Sequence, residues 1–175
     1  SSAASDVYKR QVIVEPMITT PHGRELLVGV SHDPVFGPVI TFGAGGTAVE
    51  IMRDRAVTLP PLNRFLAESL IRQTRIAKLL MAYRNLPPIN MEALVQVLLR
   101  ISEMVCELPH IVEMDINPLV ADDKGVIALD CRIEVTHISP SLIPYNHMAI
   151  QPYPTHFVSQ LQLADGTNIT IRPIR

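Results

Sequence analysis

The segment VEMDINPLV occupies residues 112–120, and VIALD follows at residues 126–130 after the connection DDKG. Both outer runs are rich in β-branched and other apolar residues, and the Asp and Gly of the connection are typical of a hairpin turn. The segment therefore predicts an antiparallel β-hairpin. Its two strands carry two oxygen-bearing side chains, Asn117 and Asp130, which stand thirteen positions apart.

A hairpin of this size could set the amide oxygen of Asn117 beside the carboxylate of Asp130 on one face. Mg²⁺ takes oxygen ligands and usually only one or two from the protein, because water and phosphates supply the others. The pair is therefore a candidate magnesium site. On the residues alone, a surface hairpin with incidental polar side chains is the simpler interpretation, because Asn-Pro is a common turn dipeptide.

Composition restricts the class of protein. Hydrophobic residues make up 47% of the 175 residues and charged residues 18%, which is typical of a folded globular protein. A formal net charge of −2 without a Lys/Arg run argues against nucleic acid as a partner. No apolar run is long enough to cross a bilayer, so we expect no membrane segment. Cys106 and Cys131 are expected to be buried, reduced thiols, which suits a cytoplasmic protein.

The chain divides into four expected segments. Residues 1–11 (SSAASDVYKRQ) lack an initial Met and are interpreted as a non-native leader. Residues 12–135 should form the main domain, residues 136–156 a Pro-rich linker, and residues 157–175 the first strands of another domain. We therefore expect the chain to be a fragment of a longer protein.

Within the main domain, short β-branched runs separated by turn residues predict a meander of antiparallel strands. The runs cover residues 12–17, 25–30, 35–42 and 48–52, with a turn at 32–34. Helical patterns follow at 64–74, 76–83 and 90–108. The last helix should begin at Asn90 as N-cap and face the core with Leu94, Leu98, Ile101, Val105 and Leu108. The fold class is therefore α+β, an antiparallel sheet packed against helices.

A glycine cluster, Gly43-Ala44-Gly45-Gly46, lies between two of the predicted strands. Consecutive glycines allow backbone N–H groups to converge on phosphate oxygens. A tight turn or a β-bulge is the alternative, and it is favoured on the residues alone because no P-loop Lys-Ser/Thr follows. The six histidines show no metal-ligand spacing, and no Ser/His/Asp or Cys/His constellation is apparent.

Taken together, four ordered stretches resemble the C-terminal half of an ATP-grasp domain, and more narrowly that of the NDP-forming acyl-CoA synthetases. The stretches are VIVEPM (12–17), GRELLVGV (23–30), FGPV through GAGGTAVE (36–50), and DINPL with ALD (115–130). The resemblance covers residues 12–135. It implies an ATP-grasp C-terminal lobe, with ATP and Mg²⁺ as cofactors and phosphoryl transfer through a phosphohistidine to make acyl-CoA.

The resemblance also implies individual roles. Asn117 and Asp130 match the positions that hold Mg²⁺ on the nucleotide phosphates, which reverses the simpler interpretation of the hairpin. Asp115 matches a catalytic acidic position that is Glu in succinyl-CoA synthetases and faces the phosphohistidine. The cofactor-binding positions would be an adenine hinge and a phosphate loop with its neighbouring strand, namely Glu15, Pro16, Met17, Glu25, Gly45 and Gly46. Implied partners are ATP, CoA or acyl-CoA, and the CoA-binding domain of the parent protein.

The tail has a narrower resemblance. HMAIQPYP (147–154), DGT (165–167) and IRPIR (171–175) are similar to the junction that joins such a synthetase to a GNAT acetyltransferase domain in Pat-type protein lysine acetyltransferases. The resemblance implies a truncated GNAT domain as a further partner. We expect the fragment alone to be inactive and to bind ATP weakly or not at all.

Two other functions remain open. The ligase-like part could be a degenerate acyl-CoA or nucleotide sensor that regulates the acetyltransferase, because ATP binding can outlive turnover. It could also be a scaffold, with the apolar helix at 90–108 supporting a homo-oligomer if that helix were exposed.

Overall fold

The computed structural model describes residues 17–46, 54–82, 85–137, 143–154 and 157–174. The described residues form strands β1 (Arg24–Asp33), β2 (Gly37–Ala44), β3 (Arg55–Thr58), β4 (Ile111–Ala121), β5 (Val126–Ala128), β6 (Cys131–Val135), β7 (Ser159–Gln162) and β8 (Asn168–Ile171). Their helices are α1 (Arg64–Arg72), α2 (Ala77–Leu80) and α3 (Met91–Glu107).

The main sheet runs in the order β3-β2-β1-β4-β5, and β6 also pairs with β4. Each of these pairs is antiparallel, which confirms the predicted pairing of the runs at 25–30 and 35–42 and the predicted hairpin. The β1–β2 turn lies slightly later than predicted, because the carboxylate of Asp33 accepts hydrogen bonds from the N–H groups of Val35 and Phe36. Strand β3 was not predicted. The strand expected at 48–52, and that expected at 12–17 except for its last residue, lie outside the described residues.

One face of the sheet packs on α1 and α3. Alternate residues of β1, β2 and β4 point into this core, because successive side chains of a strand face opposite sides. The fully buried members from the sheet and the helices include Leu26, Val28, Ile40, Phe42, Leu70, Leu94, Val95 and Leu98. Burying each such side chain stabilises the folded state by about 1.5–3 kcal/mol, and this burial holds α3 against the sheet.

Helix α3 begins as expected, since the Asn90 side chain accepts a hydrogen bond from Ala93 N–H at 3.0 Å. The predicted stripe is buried from Leu94 to Val105, whereas Leu108 is the C-cap residue and stays 38% exposed. Because the stripe is occupied within the chain's own core, it is not an oligomerisation surface. The helix predicted at 76–83 is only the single turn α2, which begins where Asp54 accepts hydrogen bonds from Arg75 N–H and Ile76 N–H.

Strand β4 carries the central residues of the candidate site. It pairs with β1 on one side and with β5 and β6 on the other. Leu26 pairs with Leu119 and Val28 with Ile116, so two residues of β4, Asn117 and Pro118, stand opposite the single residue between them on β1. This is a β-bulge, a feature that bends a strand and redirects its side chains.

After the sheet, residues 144–147 form turns instead of the extended linker that was expected, because their side chains contact the end of α3. The predicted hairpin around Asp165-Gly166-Thr167 is present as β7 and β8. Nearly all residues of these two strands are exposed. Of the helices in the described part of the chain, none has the length and apolar character required to span a membrane.

Candidate functional site

The face of the sheet opposite the helices is open and polar. It forms a cleft of about 290 Å³ between the middle strands. The cleft is lined by Leu27, Gly29, Val30, Ser31, Thr41, Arg55, Glu113, Met114, Asp115 and Asn117. Period-two side chains of β1 and β4 therefore place hydroxyl, amide and carboxylate groups together on one surface.

Asn117 and Asp130 lie beside each other, between the β4–β5 and β4–β6 pairings. Asn117 N–H donates to the main-chain carbonyl of Asp130 at 3.2 Å, and the flanking pairs Ile116–Cys131 and Leu119–Ala128 have the same register. Residues opposite each other in an antiparallel pair have Cβ atoms about 4.5–5.5 Å apart and share a face. The backbone thus brings the predicted amide and carboxylate to one side of the sheet.

The glycine loop reaches the same place from a distant part of the chain. Gly46 N–H donates to Oδ1 of Asn117 at 2.9 Å across 71 positions, and Gly45 N–H donates to the carbonyl of Glu25 at 2.9 Å. Glu25, Gly45, Gly46, Asn117 and Asp130 are therefore neighbours through this chain of contacts.

The two glycines are favoured at these positions for different reasons. Gly46 has φ = +63°, a left-handed conformation that L side chains rarely adopt, and a Cβ there would meet the carboxylate of Glu25. A Cβ at Gly45 would meet the backbone of Leu26. The loop can lie flat against β1 and β4 only because these two residues have no side chain.

Asp115 lies two positions before Asn117 and lines the same cleft. Its strand partners are Gly29 on β1 and Arg132 on β6. Glu15 and Pro16 lie outside the described residues. Met17 is described and is 91% exposed. The expectation of an adenine hinge at 15–17 therefore stays a prediction.

The donor atoms at the bulge suit a hard cation. Asn117 offers an amide oxygen, and Asp130 an exposed carboxylate. Among the described residues, no cluster of three or more His, Cys, Asp or Glu could hold a metal ion by itself. A cation at this pair would therefore complete its shell with water and with the oxygens of a ligand, as Mg²⁺ does on phosphates.

Two arginines on this face were missed in the sequence analysis. Arg55 lines the cleft from β3. Arg132 lies opposite Asp115, and its Nε is 3.9 Å from Oδ2 of Asp130. Continuing the period-two alternation from Asp130 into β6 would have placed Arg132 on the candidate face. No comparable signal identifies Arg55, because its place depends on the pairing of β3.

Cys106 is buried as expected, but the expectation of a buried thiol at Cys131 is wrong. Cys131 begins β6, and every residue of this strand is exposed. The strand pattern predicted the pairing but not whether another layer covers it.

Several known proteins are similar to this chain. The ATP-grasp domain family matches residues 1–135. The beta subunit of acetate–CoA ligase (ADP-forming) I from Pyrococcus furiosus is 39% identical over 122 residues, which are 70% of this chain and 52% of that subunit. Acetate–CoA ligase (ADP-forming) II from Archaeoglobus fulgidus is 41% identical over 113 residues, which are 65% of this chain and 16% of that protein.

Among solved structures, acetyl-coenzyme A synthetase 1 of Ca. Korarchaeum cryptofilum, in complex with coenzyme A and Mg-AMPPCP, matches with a TM-score of 0.64 and 39% identity. The match covers 67% of this chain and 55% of that one. In that complex a phosphohistidine segment points towards the nucleotide-binding site. The chain described here spans about half the length of the Pyrococcus subunit. These matches identify no acetyltransferase domain.

Proposed function

The chain belongs to the ATP-grasp domain family, and from this premise we propose that it forms one wall of the Mg-ATP site of an ADP-forming acid–CoA ligase. The observation that carries the proposal is the junction at the β4 bulge. There Asn117 lies beside Asp130 and accepts a hydrogen bond from the N–H of Gly46. Homology to ADP-forming acetyl-CoA synthetases supports it.

In this proposal Asn117 and Asp130 hold Mg²⁺ on the nucleotide phosphates. When bound, the ion would neutralise the negative charge that develops on the transferred phosphoryl group. The loop at Gly45 and Gly46 would lie near that group, with the Gly46 N–H holding the side chain of Asn117 and the Glu25 carbonyl supporting the loop from β1. Glu15, Pro16 and Met17 would contact the adenine.

The phosphoryl group would pass between ATP and an acyl phosphate through a histidine relay, with CoA as the final acyl acceptor. The Korarchaeum structure, with its coenzyme A and its phosphohistidine segment, supports this sequence of steps. Asp115 lies in the same cleft as Asn117 and would face the relay histidine. The CoA-binding domain of the parent protein would be the partner that supplies it.

Isothermal titration of the full-length protein with Mg-ATP tests the proposal. Asp130→Ala should weaken binding at least about tenfold, because removing a carboxylate ligand leaves the ion one protein oxygen. Asp123→Ala is the matched control, since Asp123 is an exposed acid in the turn of the same hairpin. Equal affinities of the two variants would refute the metal assignment. Formation of a CoA thioester from ATP, acetate and CoA then tests turnover.

One residue favours a second candidate, a degenerate ligase that senses nucleotide or acyl-CoA. Asp115 is shorter than the Glu that the resemblance implies at the position facing the phosphohistidine. A full-length protein that binds Mg-ATP through Asp130 but forms no CoA thioester would support the sensor over the ligase.

We further propose that residues 157–174 begin a GNAT acetyltransferase domain. In the part of the chain that is described, β7 and β8 pair only with each other, and Leu161 and Ile171 on them are half exposed. Apolar strand residues of this kind need a partner layer. Transfer of acetyl groups from acetyl-CoA to lysine peptides by the full-length protein is expected, and its absence would refute this assignment.

A further inference from the structure

We propose that Arg132, the positively charged side chain beside the Asn117–Asp130 pair, binds the terminal phosphate of the nucleotide. This inference rests on the proposed Mg-ATP site. It assigns to β6 a role that neither the motifs nor the comparisons assign.

The position of Arg132 is set by strand register. Its Cα pairs with that of Asp115 on β4, and it follows Asp130 by two positions. Opposite residues of a strand pair share a face, and the Arg132 side chain lies 3.9 Å from that of Asp130, just before β6. Arg132 therefore lies on the face that carries Asp115, Asn117 and Asp130.

The present contact of Arg132 is loose. Nε lies 3.9 Å from Oδ2 of Asp130, beyond the 2.7–2.9 Å range of a charge-assisted hydrogen bond. The two side chains are 85% and 59% exposed. An exposed pair of this length contributes little to stability, so the guanidinium can turn to another anion at small cost.

Charge balance makes a phosphate the fitting anion. Glu113, Asp115 and Glu134 occupy this face together with Asp130, and they would repel a nucleotide triphosphate. If Asp130 held a divalent ion, the guanidinium beside it would be available to another anion. A guanidinium matches phosphate oxygens with two parallel N–H donors, which a lysine cannot do.

Arg55 also lines the cleft, but from a more distant strand. Arg55 pairs with Gly43, and Gly43 with Leu27, so three strand spacings separate it from Asn117. At about 4.8 Å per strand this amounts to about 14 Å between Cα atoms. Arg132 lies on the strand next to Asn117, with its side chain beside Asp130, and is therefore the nearer of the two arginines to the candidate pair.

Titration calorimetry of the full-length protein with Mg-AMPPCP and with AMP tests the assignment. Arg132→Met should weaken Mg-AMPPCP binding about tenfold to a hundredfold, as expected for loss of hydrogen bonds between charged groups. AMP, which lacks the terminal phosphate, should bind unchanged. Arg132→Lys should recover only part of the loss. Arg100→Met is the matched control, because Arg100 is similarly exposed and pairs with Glu103 on α3.

Each contrary outcome is distinct. Unchanged Mg-AMPPCP affinity in Arg132→Met, with the wild type binding, overturns the inference and leaves the proposed function standing. Equal losses for Mg-AMPPCP and AMP overturn it as well, because they indicate a general distortion of the sheet. Weaker Mn²⁺ binding by Arg132→Met than by the wild type, with no nucleotide present, would also overturn the inference, because it would show that Arg132 acts only through Asp130. No binding by the wild type would refute both proposals.

Discussion

Two adjacent glycines determine how closely the loop after β2 approaches the sheet. The carbonyl of Glu25 accepts from Gly45, and the side chain of Asn117 accepts from Gly46. A Cβ at Gly45 would meet the backbone of Leu26, and Gly46 has a left-handed φ that disfavours a side chain. These two hydrogen bonds from backbone N–H groups therefore hold the loop beside the candidate metal pair.

Gly46→Ala should reduce Mg-ATP affinity in the full-length protein at least about tenfold and destabilise it by about 1–2 kcal/mol. The new methyl group meets the carboxylate of Glu25, and a left-handed φ is unfavourable for alanine. Gly125→Ala is the control, because a Cβ there has no atom within 4 Å. Calorimetry and chemical denaturation measure the two effects, and identical behaviour of the two variants would contradict this account.

The two cysteines differ in environment. Burial raises the pKa of the Cys106 thiol, and Cys131 is exposed at the start of β6. Only the thiolate reacts with disulfide reagents. In the native protein at pH 8, Cys131 should be modified rapidly and Cys106 only after unfolding. Peptide mapping by mass spectrometry identifies the modified residue, and modification of Cys106 at the rate of Cys131 would show that α3 does not bury it.

At the scale of elements, the β4–β5 hairpin is joined to the start of α3. The carboxylate of Asp122 accepts hydrogen bonds from Lys124 N–H at 2.8 Å and Gly125 N–H at 3.0 Å. The carbonyl of Asp122 accepts from Asn90 N–H at 2.7 Å, and Asn90 also caps the helix. One turn residue therefore organises a hairpin that carries the candidate site and a helix that carries the core.

The Asp122 contacts predict a pH dependence. Hydrogen bonds from Lys124 N–H and then Gly125 N–H favour the carboxylate, so the pKa of Asp122 is held below its ordinary value. A depressed pKa in the folded state gives stability that is present above the unfolded pKa of about 3.9 and is lost as the pH falls through the folded pKa. The stability difference between wild type and Asp122→Ala should therefore be largest near neutral pH and should shrink below about pH 4.

Denaturant titrations at pH 7, 5, 4 and 3 measure this difference. Asp123→Ala serves as the control, since Asp123 is an exposed acid in the same turn. A difference for Asp122→Ala that stays constant down to pH 3 would contradict the role of the carboxylate.

At the scale of the whole molecule, a segment from beyond the sheet is fastened to the end of α3. Tyr145 O–H donates to Glu107 at 2.8 Å, and this hydrogen bond raises the pKa of Tyr145. A ring N–H of His147 donates from Nε2 to the carbonyl of Val105 at 3.1 Å. Met148 is buried beside these contacts. Residues 143–148 therefore belong structurally to the sheet-and-helix unit.

Met148→Ala should destabilise this unit by about 2 kcal/mol, because it removes buried methylene groups and leaves a cavity. Ile150→Ala is the matched control, since Ile150 is half exposed two residues later. Chemical denaturation of both variants measures the difference. Equal stabilities would indicate that residues 143–148 are a linker without a structural role.

Local signals in the sequence were sufficient for the elements with strong periodicity or turn chemistry. The hairpin at 112–130, the helix with its Asn90 cap and the β7–β8 turn all follow from short-range patterns, and they appear where expected. The prediction of a helix over 76–83 was too long, because a short apolar run does not indicate where a helix ends. Strand β3 was missed because its four residues carry no pattern that stands out from a loop.

The sequence by itself indicated the candidate residues, namely the glycines of the loop, Asp115, Asn117 and Asp130, through their resemblance to the motifs of a known family, whereas residue type and spacing alone favoured a surface hairpin and a tight turn. Only the tertiary structure decided how they meet. The hydrogen bond from Gly46 to Asn117 spans 71 positions, the bulge at Asn117 depends on the register between β1 and β4, and Arg132 reaches the same face through a different strand pair. Such contacts arise from the pairing of distant strands and the burial of one face, and neither is encoded in any short window of the chain.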